Sequence, residues 1–209
     1  PLFHFFPGSL TLSYACFGCN FRCDFCCNWQ ITQQEPPEDF IREMEPEDII
    51  KMAHKKGCRI ISHTYAEPTV FFEFAYKVAR LAHRENIYNV FVTNGYMGKE
   101  AVKKISKYLD AVTIDFKASG NPEFYKKFMS VPDVSPIFRS IKQFKKYRVF
   151  IEITNLIVPK VGDDLVQCRK LAEWVATEVG PEVPFHVIAF YPSFRLLDLP
   201  STPVLTLER

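Results

Sequence analysis

No stretch of about 18 or more apolar residues occurs in the 209-residue chain, which argues against a membrane-crossing helix. No long run of one charge sign is present and the net charge is +2, so neither a nucleic-acid backbone nor a membrane surface is expected as a partner. No internal repeat stands out. A Ser-His-Asp arrangement, a phosphate-cradling glycine loop and an H-E-x-x-H helix are all missing, which removes the common hydrolase, nucleotide-loop and zinc-protease readings. The seven cysteines are an odd number and no secretory leader is expected, which argues against a disulfide framework. Free thiols imply a reducing compartment, read here as the cytoplasm.

What the chain does have is Cys16-Phe-Gly-Cys19-Asn-Phe-Arg-Cys23-Asp-Phe-Cys26-Cys27, holding five of the seven cysteines. Cys19, Cys23 and Cys26 are spaced C-x3-C-x2-C with Phe25 before the third. Three thiolates on one short loop hold three irons of a [4Fe–4S] cube and leave the fourth iron open to a second molecule. The competing reading takes Cys16, Cys19, Cys23 and Cys26 as a non-catalytic four-thiolate zinc or iron–sulfur module. Zinc ribbons separate such C-x2-C pairs by roughly 15–20 residues, and here Cys19 and Cys23 lie too close for that. Cys58 and Cys168 read as buried free thiols.

At 24.3 kDa the chain is expected to form a single domain over residues 1–209, burying about 70% of its unfolded surface. It begins at Pro1 and stops at Thr206-Leu-Glu-Arg209, which looks like the opening of a further helix, so a core truncated at both ends is expected. Strand patterns fall at Ser9–Ala15, Arg59–Tyr65, Asn89–Thr93, Ala111–Phe116, Val149–Val158 and Pro184–Phe190. Helical patterns fall between them at Glu47–Lys56, from Pro68 to about Asn86, and at Lys99–Leu109, Glu123–Met129, Pro136–Lys146 and Asp164–Val179. Residues 28–46, with Pro36, Pro37 and Pro46, read as an exposed connection. Alternating strands and helices predict an α/β fold with a parallel sheet, and right-handed crossovers curl six such units into a partial barrel. Ligands in such folds bind at the carboxyl ends of the strands. The cysteine loop, Glu67, Asn94, Asp115 with Lys117, and His186 are assigned to that side. Asp115 and Lys117 are two apart and share a strand face.

The cysteine loop resembles the signature of the radical S-adenosylmethionine (radical SAM) superfamily. The match extends to Phe3-His-Phe-Phe-Pro-Gly-Ser9, Gly18-Cys-Asn-Phe-Arg-Cys23, Asn28-Trp29 and Thr64-Tyr-Ala-Glu67-Pro68-Thr69. These segments resemble the radical SAM protein of the AmmeMemoRadiSam system, a group similar to pyruvate formate-lyase activating enzymes. The resemblance implies a partial (β/α)6 barrel, a [4Fe–4S] cluster on Cys19, Cys23 and Cys26, and SAM as cosubstrate. It further implies reductive cleavage of SAM to methionine and a 5′-deoxyadenosyl radical that abstracts hydrogen from a protein, peptide or small molecule. An electron donor of flavodoxin or ferredoxin type goes with that chemistry.

The resemblance also suggests SAM contacts. Glu67 takes the ammonium, unless it is simply an acid favoured by the dipole of the next helix. Asn94 takes the ribose, or only makes an Asn-Gly turn. Asp115 and Lys117 address carboxylate and ribose, or form a solvated pair. Phe25 offers backbone and ring face to adenine. His186, in Pro184-Phe185-His186, sits beside SAM or is a satisfied core histidine, and His63 and Tyr65 are expected to face inward. Two departures stand out: Cys27 replaces the usual Gln after the third cysteine, and Val92 replaces an acid that helps related enzymes hold a monovalent cation. Radical chemistry needs a covering lid, and Pro1–Pro7, residues 28–46 and Ser193–Arg209 are the segments available for it.

Overall fold

The computed structural model describes residues 2–36 and 38–208. Pro1, Pro37 and Arg209, which bear on the expected ends and the 28–46 connection, lie outside the described residues. Six strands form one parallel sheet in sequence order: β1 Thr11–Tyr14, β2 Ile60–His63, β3 Tyr88–Thr93, β4 Ala111–Lys117, β5 Phe150–Ile157 and β6 Phe185–Ala189. Neighbouring strands follow one another in the chain throughout, so every crossover turns the sheet the same way. The result is the open, curled βα array expected of a partial (β/α)6 barrel.

The helices are α1 Trp29–Thr32, α2 Pro46–Lys55, α3 Phe72–Arg84, α4 Lys99–Ile105, α5 Pro122–Met129, α6 Ser135–Lys146, α7 Leu165–Glu178 and α8 Val204–Leu207. Proline opens α2 and α5 near the first position, where its missing N–H costs nothing. The Asn121 side chain accepts from the amides of Glu123 and Phe124, and Asp164 does the same for Val166 and Gln167, which starts α5 and α7. On α3 the buried residues Ala75, Val78, Ala79 and Ala82 repeat at helical spacing and form one stripe against the sheet.

The strands alternate as their pattern requires. Leu12 and Ile61 point outward to Ile49, Ile50, Ala53, Val78 and Ala82 on α2 and α3. Ile60, Val90 and Ala111 point inward and meet Leu2 and Phe5 of the N-terminal segment. That aromatic segment therefore stops the amino-end mouth of the barrel, and is no lid over the cysteine side. Phe5 packs edge-on to Tyr88 and against Phe150, with ring centroids at 5.8 and 5.7 Å, because those residues begin β3 and β5.

Several boundaries differ from the pattern reading. Pro68 does not open a helix: the Glu67 carboxylate accepts from the Thr69 amide and hydroxyl, which pins residues 68–71 in a turn, and α3 starts at Phe72. The 28–46 connection is not wholly irregular, because α1 and a 3-10 turn at Glu38–Phe40 interrupt it. Cys58 and Cys168 are half-buried and not enclosed. No helix among the described residues is long and apolar enough to cross a membrane.

Candidate active site

The cysteine loop leaves the carboxyl end of β1 and is fixed by backbone hydrogen bonds from three directions. Arg22 N–H and Asp24 N–H donate to Met129 and Phe128 at the end of α5, at 3.0 and 2.8 Å. Asp24 O accepts from Arg195 and Leu196 in the segment after β6, and Gly18 O accepts from Glu67 N–H. Phe21 and Phe25 are the loop's apolar anchors. The Phe25 ring, 7% exposed, packs on Phe124 and Phe190 at 5.6 and 6.3 Å. Its ring face is spent on the core, so only its backbone remains for a ligand. Gly18 precedes Cys19 at φ +105°, and a Cβ there would stand 3.1 Å from Val70, so only glycine fits the entry to the loop.

The three spaced thiols act on one another. Burial pushes Cys19 up to about 11, with the Phe21 amide opposing and the charges of Glu67 and Cys26 adding to the rise. Burial also raises Cys23, reinforced by Cys19 and Cys26 and opposed by the Lys117 ammonium. Raised in this way, the Cys19 and Cys23 thiols keep their protons until a cation replaces them. That donor set fits an iron–sulfur group. Cys16 acts on Tyr14 and not on the trio, and Cys27 is exposed. The Cys26 thiol meets Thr32 Oγ1 at 3.3 Å and Gln33 Nε2 donates to Cys23 O at 2.8 Å, so α1 braces the loop from behind.

Glu67, Asn94, Asp115 and Lys117 sit at the same mouth. Glu67 is 3% exposed and ties β2 to β3: Oε1 accepts from Thr69 N, Thr69 Oγ1 and Thr93 Oγ1, and Oε2 accepts from Asn94 N at 2.9 Å. Burial raises its carboxyl while those four donors oppose the rise. It lies before the turn and outside the first turn of α3, so helix-dipole stabilisation does not explain it. Asn94 is held by Glu67 through its amide, and its Nδ2 donates to Asn20 Oδ1 at 2.7 Å beside the Cys19 sulfur at 3.9 Å. Asp115 accepts from Thr154 across the β4–β5 register and faces Lys117 Nζ at 3.6 Å.

Two histidines engage other partners. His186 stands in register with Thr154, itself opposite Asp115, but its Nε2 meets Glu152 Oε2 at 2.9 Å. His63 faces outward, 0% exposed, between Tyr14, Phe91 and Asn89 beneath α3. Tyr65, with φ 65°, is exposed. Sequence reading missed Thr154 and Asn155. Asn155 is enclosed and clamps Ser119 through its amide and hydroxyl, both at 2.9 Å, just beyond Lys117. A polar Thr-Asn pair inside an apolar strand was the available signal.

A family profile described as the radical SAM superfamily matches residues 14–174. The chain belongs to the radical SAM superfamily. An uncharacterized protein of Methanocaldococcus jannaschii is 43% identical over 208 residues, covering 100% of this chain and 61% of that protein. The chain thus spans less than two thirds of that relative's length. The (2S)-3-sulfopropanediol dehydratase activating enzyme of Klebsiella oxytoca is 25% identical over 118 residues, 56% of this chain and 36% of that enzyme. A radical SAM methyltransferase from Sphaerobacter thermophilus shares the fold with a TM-score of 0.73 at 14% identity, covering 98% of this chain and 63% of that one. Membership implies a [4Fe–4S] cluster and SAM as the cofactors, and it goes against the non-catalytic zinc reading. This radical SAM chain resembles activating enzymes in sequence.

Proposed function

We propose that this chain is a radical SAM core of the activating-enzyme type, acting in the cytoplasm on a protein, peptide or small-molecule substrate. The observation that carries the reading is the convergence of Cys19, Cys23 and Cys26 at the mouth that also holds Glu67, Asn94, Asp115 and Lys117. When bound, the cluster and SAM together supply a 5′-deoxyadenosyl radical for hydrogen abstraction, the electron coming from a flavodoxin- or ferredoxin-type donor.

The residues of the chain bind and orient. Cys19, Cys23 and Cys26 act as thiolate ligands. Glu67 is the acceptor for an ammonium through Oε2, which takes a single hydrogen bond, from Asn94 N–H. Asn94 already reaches the cysteine loop and offers its amide toward a ribose. Lys117 is the cation for a carboxylate, with Asp115 holding it and Thr154 holding Asp115. Phe25 contributes its backbone. The segment after β6 shields the loop, where Phe194 stacks on Trp29 at 5.0 Å and 15°. The test is incubation of the anaerobically reconstituted protein with dithionite and SAM, followed by mass spectrometry. Formation of 5′-deoxyadenosine and methionine supports the reading, and a loaded cluster with no SAM turnover defeats it.

A further inference from the structure

Opposite the cysteines, at the amino-end mouth, the barrel encloses a carboxylate that the proposed function does not use. Glu152 is the third residue of β5 and 0% exposed. Its Oε1 accepts from the amides of His4 at 2.8 Å and Phe5 at 3.2 Å, and its Oε2 accepts from the amide of Phe3 at 3.0 Å. A carboxylate offers about four acceptor positions, so three are taken by backbone and one remains, on Oε2. Two imidazoles compete for it: His186 Nε2 at 2.9 Å and His4 Nδ1 at 3.7 Å. Burial would raise this carboxyl, but the Phe3 and His4 amides and His186 bring it below its ordinary value, which keeps it anionic.

We propose that His4, Glu152 and His186 bind one divalent transition-metal ion of the zinc class, which fastens the N-terminal segment across the floor of the barrel. The three ligand atoms lie within 4.8 Å of one another. Ligands at the usual zinc–nitrogen distance of about 2.1 Å sit roughly 3–3.5 Å apart, so His186 and Glu152 already fit. His4 Nδ1, 3.7 Å from the same Glu152 oxygen, must swing inward to join them, and its side chain is 56% exposed. The His4 and His186 rings lie 5.3 Å apart at 34°, both turned to the same oxygen. Two imidazoles and one carboxylate suit zinc, iron(II) or nickel better than a hard cation, and the exposed side leaves room for water as a further ligand.

The test uses the cluster-loaded 209-residue chain, stripped of loose metal by chelator and dialysed against zinc chloride, with zinc and iron both counted. One zinc per chain is expected with iron unchanged. His4→Ala, which removes only an exposed side chain, should weaken zinc binding by about tenfold or more, and His186→Ala likewise. Hydrogen exchange supplies a second readout: zinc should slow the amides of residues 3–5 in the wild type and leave them unchanged in His4→Ala. Zinc bound equally by the His4→Ala/His186→Ala double variant would place the metal elsewhere and overturn the proposal. Absence of zinc from the wild type would overturn it as well.

Discussion

His63 gives a pH dependence whose size follows from its surroundings. The ring is fully enclosed, with Tyr14 Oη at 2.6 Å from Nδ1 and Asn89 Oδ1 at 3.4 Å from Nε2. Burial keeps the Tyr14 phenol protonated by raising it, so the phenol donates to Nδ1. The Asn89 amide nitrogen is occupied with Ala79 O and Tyr108 O, both at 3.0 Å, so its oxygen accepts from Nε2–H. One neutral tautomer therefore satisfies the whole chain, and a second ring proton would face a donor. Burial lowers His63 to about 3, with Asn89 opposing.

A depressed histidine means that the unfolded chain binds the proton first. Its contribution is fully present above the unfolded value of 6.5 and is lost as pH falls toward the folded one. Between about pH 7 and pH 5 that amounts to about 2 kcal/mol, at roughly 1.4 kcal/mol per unit. Urea unfolding of the wild type and of His63→Gln at both pH values isolates it, since other titrating groups cancel in the comparison. Glutamine keeps an acceptor for Tyr14 and never charges, so the wild type should lose about 2 kcal/mol more than the variant on acidification. Equal losses in the two proteins would mean that His63 titrates normally and that its enclosure is wrong.

Changing Cys19, Cys23 or Cys26 to alanine should abolish iron retention after anaerobic reconstitution, whereas Cys16→Ala and Cys27→Ala should keep it; iron retained by Cys23→Ala refutes the ligand assignment. Glu67→Gln should keep the iron and weaken SAM binding by roughly 10- to 150-fold in a titration, the loss of one charge-assisted contact. Gly95→Ala should destabilise by about 1–3 kcal/mol in chemical denaturation, because Gly95 has φ +74° and a Cβ would stand 3.0 Å from Ile114 and 3.1 Å from Ile137. Wild-type stability in that variant would show that the Asn94-Gly95 turn relaxes freely.

What the sequence made legible were the features set by covalent spacing and by periodicity. The C-x3-C-x2-C run is a local property of one loop, and the six strands alternate strongly enough to be placed within a few residues. Choice of partner and choice of face were less legible. His186 was assigned to the carboxyl side, and its register with Thr154 and Asp115 agrees, but its ring is engaged by Glu152, a contact that no local pattern announces. Alternation put His63 and Tyr65 on one face but did not tell which face is the inside; the apolar helices α2 and α3 decide that. Glu152 carried a signal that was passed over, a lone acid within a largely apolar interior strand. Burying such a charge requires donors around it, and those donors come from residues 147–149 positions earlier in the chain.

Each mouth of the barrel holds a buried carboxylate surrounded by donors, Glu152 at one and Glu67 at the other, but the mouths differ in what lies around it. At the amino end, Glu152 accepts from the consecutive amides of residues 3–5, and the aromatic rings around them complete a packed floor. At the carboxyl end the polar groups are left partly open: Asp115 and Lys117 retain 30% and 19% side-chain exposure. There β4 runs straight into Ala118, Ser119 and Gly120, three successive left-handed residues at φ 46°, 56° and 70°. Each non-glycine member of such a turn costs of order 1–3 kcal/mol and persists only where its surroundings over-determine it. Asn155 supplies that constraint through two hydrogen bonds to Ser119, and Gly162 lets the neighbouring loop close against Ala118. The turn takes the chain abruptly away from the mouth just after Lys117, whose amide is fixed by the Tyr125 hydroxyl at 3.2 Å. The corner thus carries the chain away from β4 directly after Lys117, whose ammonium acts on the Cys23 thiol and so stands on the cysteine side.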